Sequence, residues 1–222
     1  MRHASTYHQF CPVARATEVV AGRWTPLVLR ELLCGSTRFN DLRRGLPQMS
    51  PSLLAQRLRE LVSRGIVDRV SDGSHVEYRL TPAGEELRPI ILALGRWGKR
   101  NLERELSKDE MDPSLLVWDM HRQVTVDALP RERVVAQLDF GAVRGKRSRF
   151  WLIFERPAVD VCYQDPGQEP SIRVHADLRT LIDVWMGGRS FASALSDRSL
   201  TLEWPRALCR GFPTWFDLSV FA

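Results

Sequence analysis

The chain has 222 residues, 44% of them hydrophobic, and a formal charge of +5 at pH 7, enough apolar material for two compact domains of about 100 residues each. No stretch reaches the roughly 18 uninterrupted apolar residues that a membrane span needs, and no apolar signal core follows the N-terminus. Cys11, Cys34, Cys162 and Cys209 lie far apart, with no C-x-x-C pair and no histidine at ligand spacing, which excludes a zinc site and a disulfide framework. These features predict a cytoplasmic protein that uses no metal and no cofactor. The charge is uneven: residues 1–106 carry 17 Lys/Arg against 11 Asp/Glu, net +6, while residues 107–222 carry 15 against 16, net −1. A basic half joined to a near-neutral one fits a polyanion-binding module attached to a partner of another kind.

Residues 12–21 carry apolar positions at helical spacing (Val13, Ala16, Val19, Val20) and stop at Gly22. Thr25-Pro26 then predicts an N-cap and a first-turn proline for a helix, apolar on most sides through Leu27, Val28, Leu29, Leu32 and Leu33, that forms the centre of the domain. Residues 38–46 read as a compact amphipathic helix around Phe39 and Leu42. Ser50-Pro51 repeats the cap-and-proline pairing and opens a helix over residues 52–64, with Leu54, Leu58, Leu61 and Val62 on one face and Ser52, Gln56, Arg59 and Ser63 on the other. Gly65 ends it. Residues 66–70 and 76–80 alternate around Asp72-Gly73, a strong hairpin signal. Thr81-Pro82 caps a long helix predicted over residues 83–106, whose apolar face (Leu87, Ile90, Ile91, Leu94, Trp97, Leu102) exceeds what one small domain must cover.

The boundary falls near Ser107-Lys108-Asp109-Glu110, giving domains at residues 1–106 and 107–222. Asp112-Pro113 starts a helix through about Gln123. Strands are predicted at residues 134–140, 149–155, 158–163 and 171–175, from β-branched and aromatic runs between turns. A helix over residues 177–186, a short helix, a strand at residues 200–204 and a terminal helix complete an α+β domain with a roughly five-stranded sheet.

Helices followed by a hairpin and a further helix, with the polar-faced helix just before the hairpin, describe a winged helix-turn-helix: a helix fits the major groove and a two-stranded ribbon reaches the backbone beside it. Gln56 suits adenine and Arg59 guanine, with Ser50 and Ser52 near the helix start. Arg38, Arg43, Arg44, Arg57 and the wing residues His75 and Arg79 are candidates for phosphate contacts, although Arg57 is also placed to pair with Glu60. Double-stranded DNA is the expected partner. No H-E-x-x-H, G-x-S-x-G or G-x-G-x-x-G motif is present, so no enzymatic reading is supported.

The segments Cys11-Pro12-Val13, Gly22-Arg23-Trp24-Thr25, Arg38-Phe39-Asn40-Asp41-Leu42, residues 50–61 (Ser50-Pro51-Ser52 to Arg59-Glu60-Leu61) and Val76-Glu77-Tyr78-Arg79-Leu80-Thr81-Pro82-Ala83-Gly84 together resemble the HxlR-type winged-helix regulators over residues 8–106. The resemblance implies a homodimer, built from the terminal helices, on a near-palindromic operator, and most often a repressor. Members often carry a longer wing tip with proline than Ser71-Asp72-Gly73-Ser74-His75. Cys11 stands where the family has an N-terminal cysteine that in some members senses electrophiles or oxidants; a small buried hydrophobe is the alternative for this thiol.

In the C-terminal half, Ala176-Asp177-Leu178-Arg179-Thr180-Leu181, Trp185-Met186-Gly187-Gly188, Leu200-Thr201-Leu202-Glu203 and the ending from Trp215 to Ala222 resemble sterol carrier protein type 2-like domains. This resemblance implies a small apolar ligand, with Phe150, Leu152, Phe154, Leu181, Trp185, Met186, Phe191, Trp215 and Phe216 as candidate lining residues; the same residue types at strand and helix spacing also make an ordinary core. Three functions stay open: a DNA-binding regulator with an effector domain, a lipid-binding module with a vestigial DNA-binding domain, and a thiol switch through Cys11.

Overall fold

The computed structural model of the chain describes residues 6–102, 106–141, 143 and 147–222. It divides into two compact units, one ending at Asn101 and the other beginning at Leu102.

The first unit is built on α1 (Pro12–Val20), α2 (Thr25–Leu33), α3 (Phe39–Gly45), α4 (Pro51–Ser63), a hairpin of β1 (Val67–Ser71) and β2 (Val76–Leu80), then α5 (Pro82–Glu85) and α6 (Arg88–Asn101). Its core follows the predicted stripes: Val28, Leu29, Leu42, Leu54 and Leu58 are wholly buried, joined by Leu32, Leu46, Met49, Leu61, Val67 and Ile91. Helix α2 touches α1, α3, α4, α6 and β2, and so is the centre of the unit.

Two local expectations are corrected. Helix α2 begins one residue early, at Thr25, because Trp24 takes a left-handed conformation (φ 76°) and serves as N-cap, while Thr25 is itself buried and its N–H bonds the Gly22 carbonyl at 2.9 Å. The helix predicted over residues 83–106 is two helices. Pro89 lacks the N–H that would bond the Glu85 carbonyl, so α5 closes in a tight turn and α6 restarts at Arg88, placing the proline in a first turn that tolerates it. Helix α6 ends at Asn101, whose Nδ2 bonds the Trp97 carbonyl at 2.8 Å; residues 103–105 of the expected helix lie outside the described residues.

The second unit has α7 (Pro113–Arg122), a 3-10 turn (Val126–Ala128), β3 (Val134–Asp139), β4 (Arg149–Glu155), β5 (Ala158–Cys162), β6 (Ile172–Ala176), α8 (Leu178–Trp185), α9 (Phe191–Ser196), β7 (Leu200–Glu203) and α10 (Arg206–Gly211), followed by a 3-10 turn (Phe212–Trp215). The strands form a five-stranded sheet in the order β5-β4-β3-β6-β7. Only the central β3–β6 pair is parallel, with Ala136 facing Ile172 and Asp139 facing His175; the other neighbours are antiparallel. Alternation along β3, β4 and β6 sends Ala136, Leu138, Phe150, Leu152, Phe154, Ile172 and Val174 into one core with α7 and α8. Among the described residues no helix is long and apolar enough to cross a membrane.

Candidate nucleic-acid interface

Helix α4 is the element most completely specified by local chemistry. Ser50 is extended (φ −65°, ψ 145°) and its hydroxyl accepts from the Leu53 N–H, with Pro51 in the first turn. Leu54, Leu58 and Leu61 are driven inward, which leaves Ser52, Gln56, Arg59, Glu60 and Ser63 exposed along the opposite face. Helix α3 lies before it, with Arg43 and Arg44 exposed in its last turn.

The hairpin pairs Val67 with Leu80 and Ser71 with Val76, one residue later in β1 than expected. Its tip is compact: Asp72 Oδ1 accepts from the Ser74 N–H (2.9 Å), the Ser74 hydroxyl (2.9 Å) and the His75 N–H (2.7 Å). These bonds, led by the one from His75, hold the Asp72 carboxyl below its ordinary value. The wing therefore ends in a fixed negative charge rather than in a long basic arm. It is moored at its base, where the Tyr78 N–H bonds the Thr37 carbonyl at 2.8 Å, Arg38 bridges Glu77 as a short third edge, and the Thr81 hydroxyl bonds the Gly65 carbonyl at 2.7 Å.

The cations sort into two groups. Arg79 pairs with Glu77 (2.7 Å), Arg38 approaches the same carboxylate (4.0 Å), and Arg44 pairs with Asp41 (3.3 Å). Arg57, one of the phosphate candidates, is the most committed: its guanidinium binds Glu60 and its Nε donates to the Arg23 carbonyl at 3.3 Å. Arg43, Arg59 and Arg69 make no side-chain hydrogen bond or ion pair with described residues, and all three are exposed. Arg69, on β1, escaped the sequence reading because one arginine in a hairpin strand carries no positional signal; so did Arg64, which follows α4 and acts on Glu60 through its charge.

The remaining candidates do not gather at this surface. Cys11 is the half-buried N-cap of α1, and its carbonyl accepts from the Arg15 N–H at 3.1 Å. In the second unit Phe150, Leu152, Phe154, Leu181, Trp185, Trp215 and Phe216 are at most 6% exposed, with Met186 and Phe191 packed against them. Phe154 stacks edge-on with Trp215 (5.1 Å) and Phe216 (5.9 Å), so these side chains fill one another's space. A groove of about 590 Å³ opens elsewhere, beside β7 and α10, lined by Leu195, Leu202, Trp204, Arg206, Cys209 and Arg210.

Comparison with known proteins bears on the first unit. The family model described as HxlR-like helix-turn-helix matches residues 19–106. An HTH-type transcriptional regulator of Mycobacterium tuberculosis is 47% identical over 95 residues, covering 41% of this chain and 60% of its own length; the match thus spans less than two thirds of that relative. YtfH of Escherichia coli, also an HTH-type transcriptional regulator, is 35% identical over 114 residues, covering 50% of this chain and 90% of YtfH. Among solved structures, the reduced form of the transcriptional regulator YodB from B. subtilis is 29% identical, covers 43% of this chain and 97% of that one, and superposes with a TM-score of 0.38. With a capped helix exposing a polar face beside a moored hairpin, and a relative matched over nine-tenths of its length, the chain belongs to the HxlR-like helix-turn-helix family of transcriptional regulators.

Proposed function

We propose that the protein is a homodimeric, sequence-specific DNA-binding repressor that inserts α4 into the major groove of a near-palindromic operator. The observation that carries this reading is the exposed row Ser52, Gln56 and Arg59 on a helix whose other face is buried through Leu54, Leu58 and Leu61. Arg59 has no partner among the described residues, so its planar fork is free for a guanine edge, while Arg43 and Arg69 supply phosphate contacts from α3 and the wing. The compact, acid-tipped wing supports backbone contact over minor-groove insertion. Dimerisation is supported by α6, which exposes Ile90 (54%), Leu94 (53%) and Trp97 (51%) one to two turns apart.

The second unit serves as the effector module in this reading. Its predicted lining residues form the packed interior, so a small apolar ligand is assigned to the groove beside β7 and α10. To change operator occupancy tenfold, the ligand must favour one conformation by about 1.4 kcal/mol.

The test is recovery of fragmented genomic DNA by the purified protein at about 150 mM salt, where nonspecific phosphate binding is suppressed. A shared inverted repeat should be enriched, and Arg59→Ala should relax the preference at one position of each half-site. Enrichment of no sequence, with and without apolar ligands, refutes the repressor reading.

A further inference from the structure

Glu60 is the sole acidic residue of α4, and its side chain stands 46% exposed beside the residues that read bases in the function proposed above. A carboxylate there faces a polyanion, so electrostatics alone disfavours it. Its bonding supplies a reason for its presence. Oε1 accepts from Gln56 Nε2 at 2.8 Å, one turn earlier on the same helix. Oε2 accepts from Arg57 Nη1, and Arg57 Nε continues to the Arg23 carbonyl in the turn between α1 and α2. Burial pushes the Glu60 carboxyl up, but the bonds from Gln56 and Arg57 and the charges of Arg57 and Arg64 outweigh it and hold the group below its ordinary value. At neutral pH Glu60 is therefore an acceptor only.

A glutamine amide carries a carbonyl at one end and two N–H groups at the other, and a freely rotating one presents either end to a base. The bond to Glu60 removes that choice, because only the NH₂ end can donate to a carboxylate. Oε1 of Gln56 and its second N–H remain available, and a bidentate contact to adenine uses one acceptor and one donor of this kind. The same carboxylate keeps the Arg57 guanidinium on the protein and away from phosphates. We propose that Glu60 is a specificity-determining positioning residue, which orients the Gln56 amide for one base and withholds Arg57 from sequence-independent contacts. The inference rests on the reading of α4 as the recognition helix.

Two consequences oppose each other, which makes the test decisive. Loss of Glu60 removes a negative charge and releases Arg57, so affinity for any duplex rises; it also frees the Gln56 amide, so discrimination falls. Selection from a randomised operator library and titration of a scrambled duplex should be run on wild type, Gln56→Ala, Arg59→Ala, Glu60→Ala, Glu60→Gln and the Gln56→Ala/Glu60→Ala double variant, each checked by circular dichroism. Glu60→Ala should flatten the same operator position as Gln56→Ala, by at least about fivefold, bind the scrambled duplex more tightly, and add nothing to that flattening in the Gln56→Ala background. Glu60→Gln, which keeps an acceptor oxygen without the charge, should retain part of the preference. If Glu60→Ala keeps the full preference and only the scrambled-duplex affinity moves, Glu60 acts by charge alone and the inference is overturned. If wild type selects no sequence, the recognition-helix reading itself falls, and the inference with it.

Discussion

Gly45→Ala sets two physical effects against each other. By backbone propensity, alanine in a helix is better than glycine by about 0.5–1 kcal/mol. In this fold a Cβ at Gly45 would lie 1.8 Å from Glu31 Oε2 and 2.0 Å from its Cδ. Glu31 is wholly buried, and its Oε1 accepts from Arg30 Nη2 at 2.7 Å and Arg30 Nε at 3.1 Å, while the same Nη2 donates to the Gly45 carbonyl at 3.0 Å. The methyl group must therefore evict a buried carboxylate from its ion pair with Arg30, the side chain whose bond to the Gly45 carbonyl ties α2 to α3. Breaking a buried pair costs about 3–5 kcal/mol, and a charge-assisted bond about 1.5–3; set against the propensity gain, the net loss is about 3 kcal/mol. For a domain of about 100 residues this lowers the melting temperature by about 12–24 °C. Differential scanning calorimetry on wild type, Gly45→Ala, Glu31→Ala and the double variant measures it. Removing Glu31 leaves Arg30, whose side chain is 25% exposed, able to turn to water, and makes room for the methyl. Gly45→Ala should then cost less than about 1 kcal/mol in the Glu31→Ala background, a coupling of about 2 kcal/mol. A Gly45→Ala protein as stable as wild type, or an equal loss in both backgrounds, refutes the reasoning.

Leu94→Glu, at the middle of the exposed face of α6, should convert a dimer to a monomer by light scattering and lower operator affinity at least about tenfold, while the stability of the monomer stays within about 0.5 kcal/mol, as for other surface changes; an unchanged mass sinks the assignment of this face. Asp197 accepts from the Ser199 hydroxyl and N–H and pairs with Arg189, which lowers its carboxyl to about 2. Because the folded value is the depressed one, its contribution to stability is complete above the ordinary value of 3.8 and is lost as pH falls through about 2. A carboxyl titration by NMR should show the low midpoint in wild type and a return towards the ordinary value in Ser199→Ala; a wild-type midpoint near 3.8 contradicts the bonding.

The features legible from the chain alone are those whose physics spans a few residues. Ser50-Pro51 and Asp112-Pro113 announce helix starts, and in both the side chain caps the helix as expected. Asp72-Gly73 marks the hairpin, and the leucines of α4 mark which face turns inward, so the candidate row Ser52, Gln56 and Arg59 is a property of sequence periodicity. Pro89 breaks the expected long helix before α6, yet the apolar stripe runs on through it, because a side-chain pattern does not display one missing backbone bond. Other features depend on residues distant in the chain. Trp24 as a left-handed cap and the Thr37–Tyr78 bond that moors the wing cannot be read from neighbours. Nor can a list of arginines show that Arg57 is held by the Arg23 carbonyl and Glu60 while Arg59 has no partner among the described residues, or a list of aromatic residues show that Phe154, Trp215 and Phe216 fill a core. Caps, turns and stripes arise from bonds between near neighbours, which a sequence displays; whether a charge is free and whether an apolar side chain fills or lines a space depend on what the folded chain brings against it, and only the tertiary structure decides that.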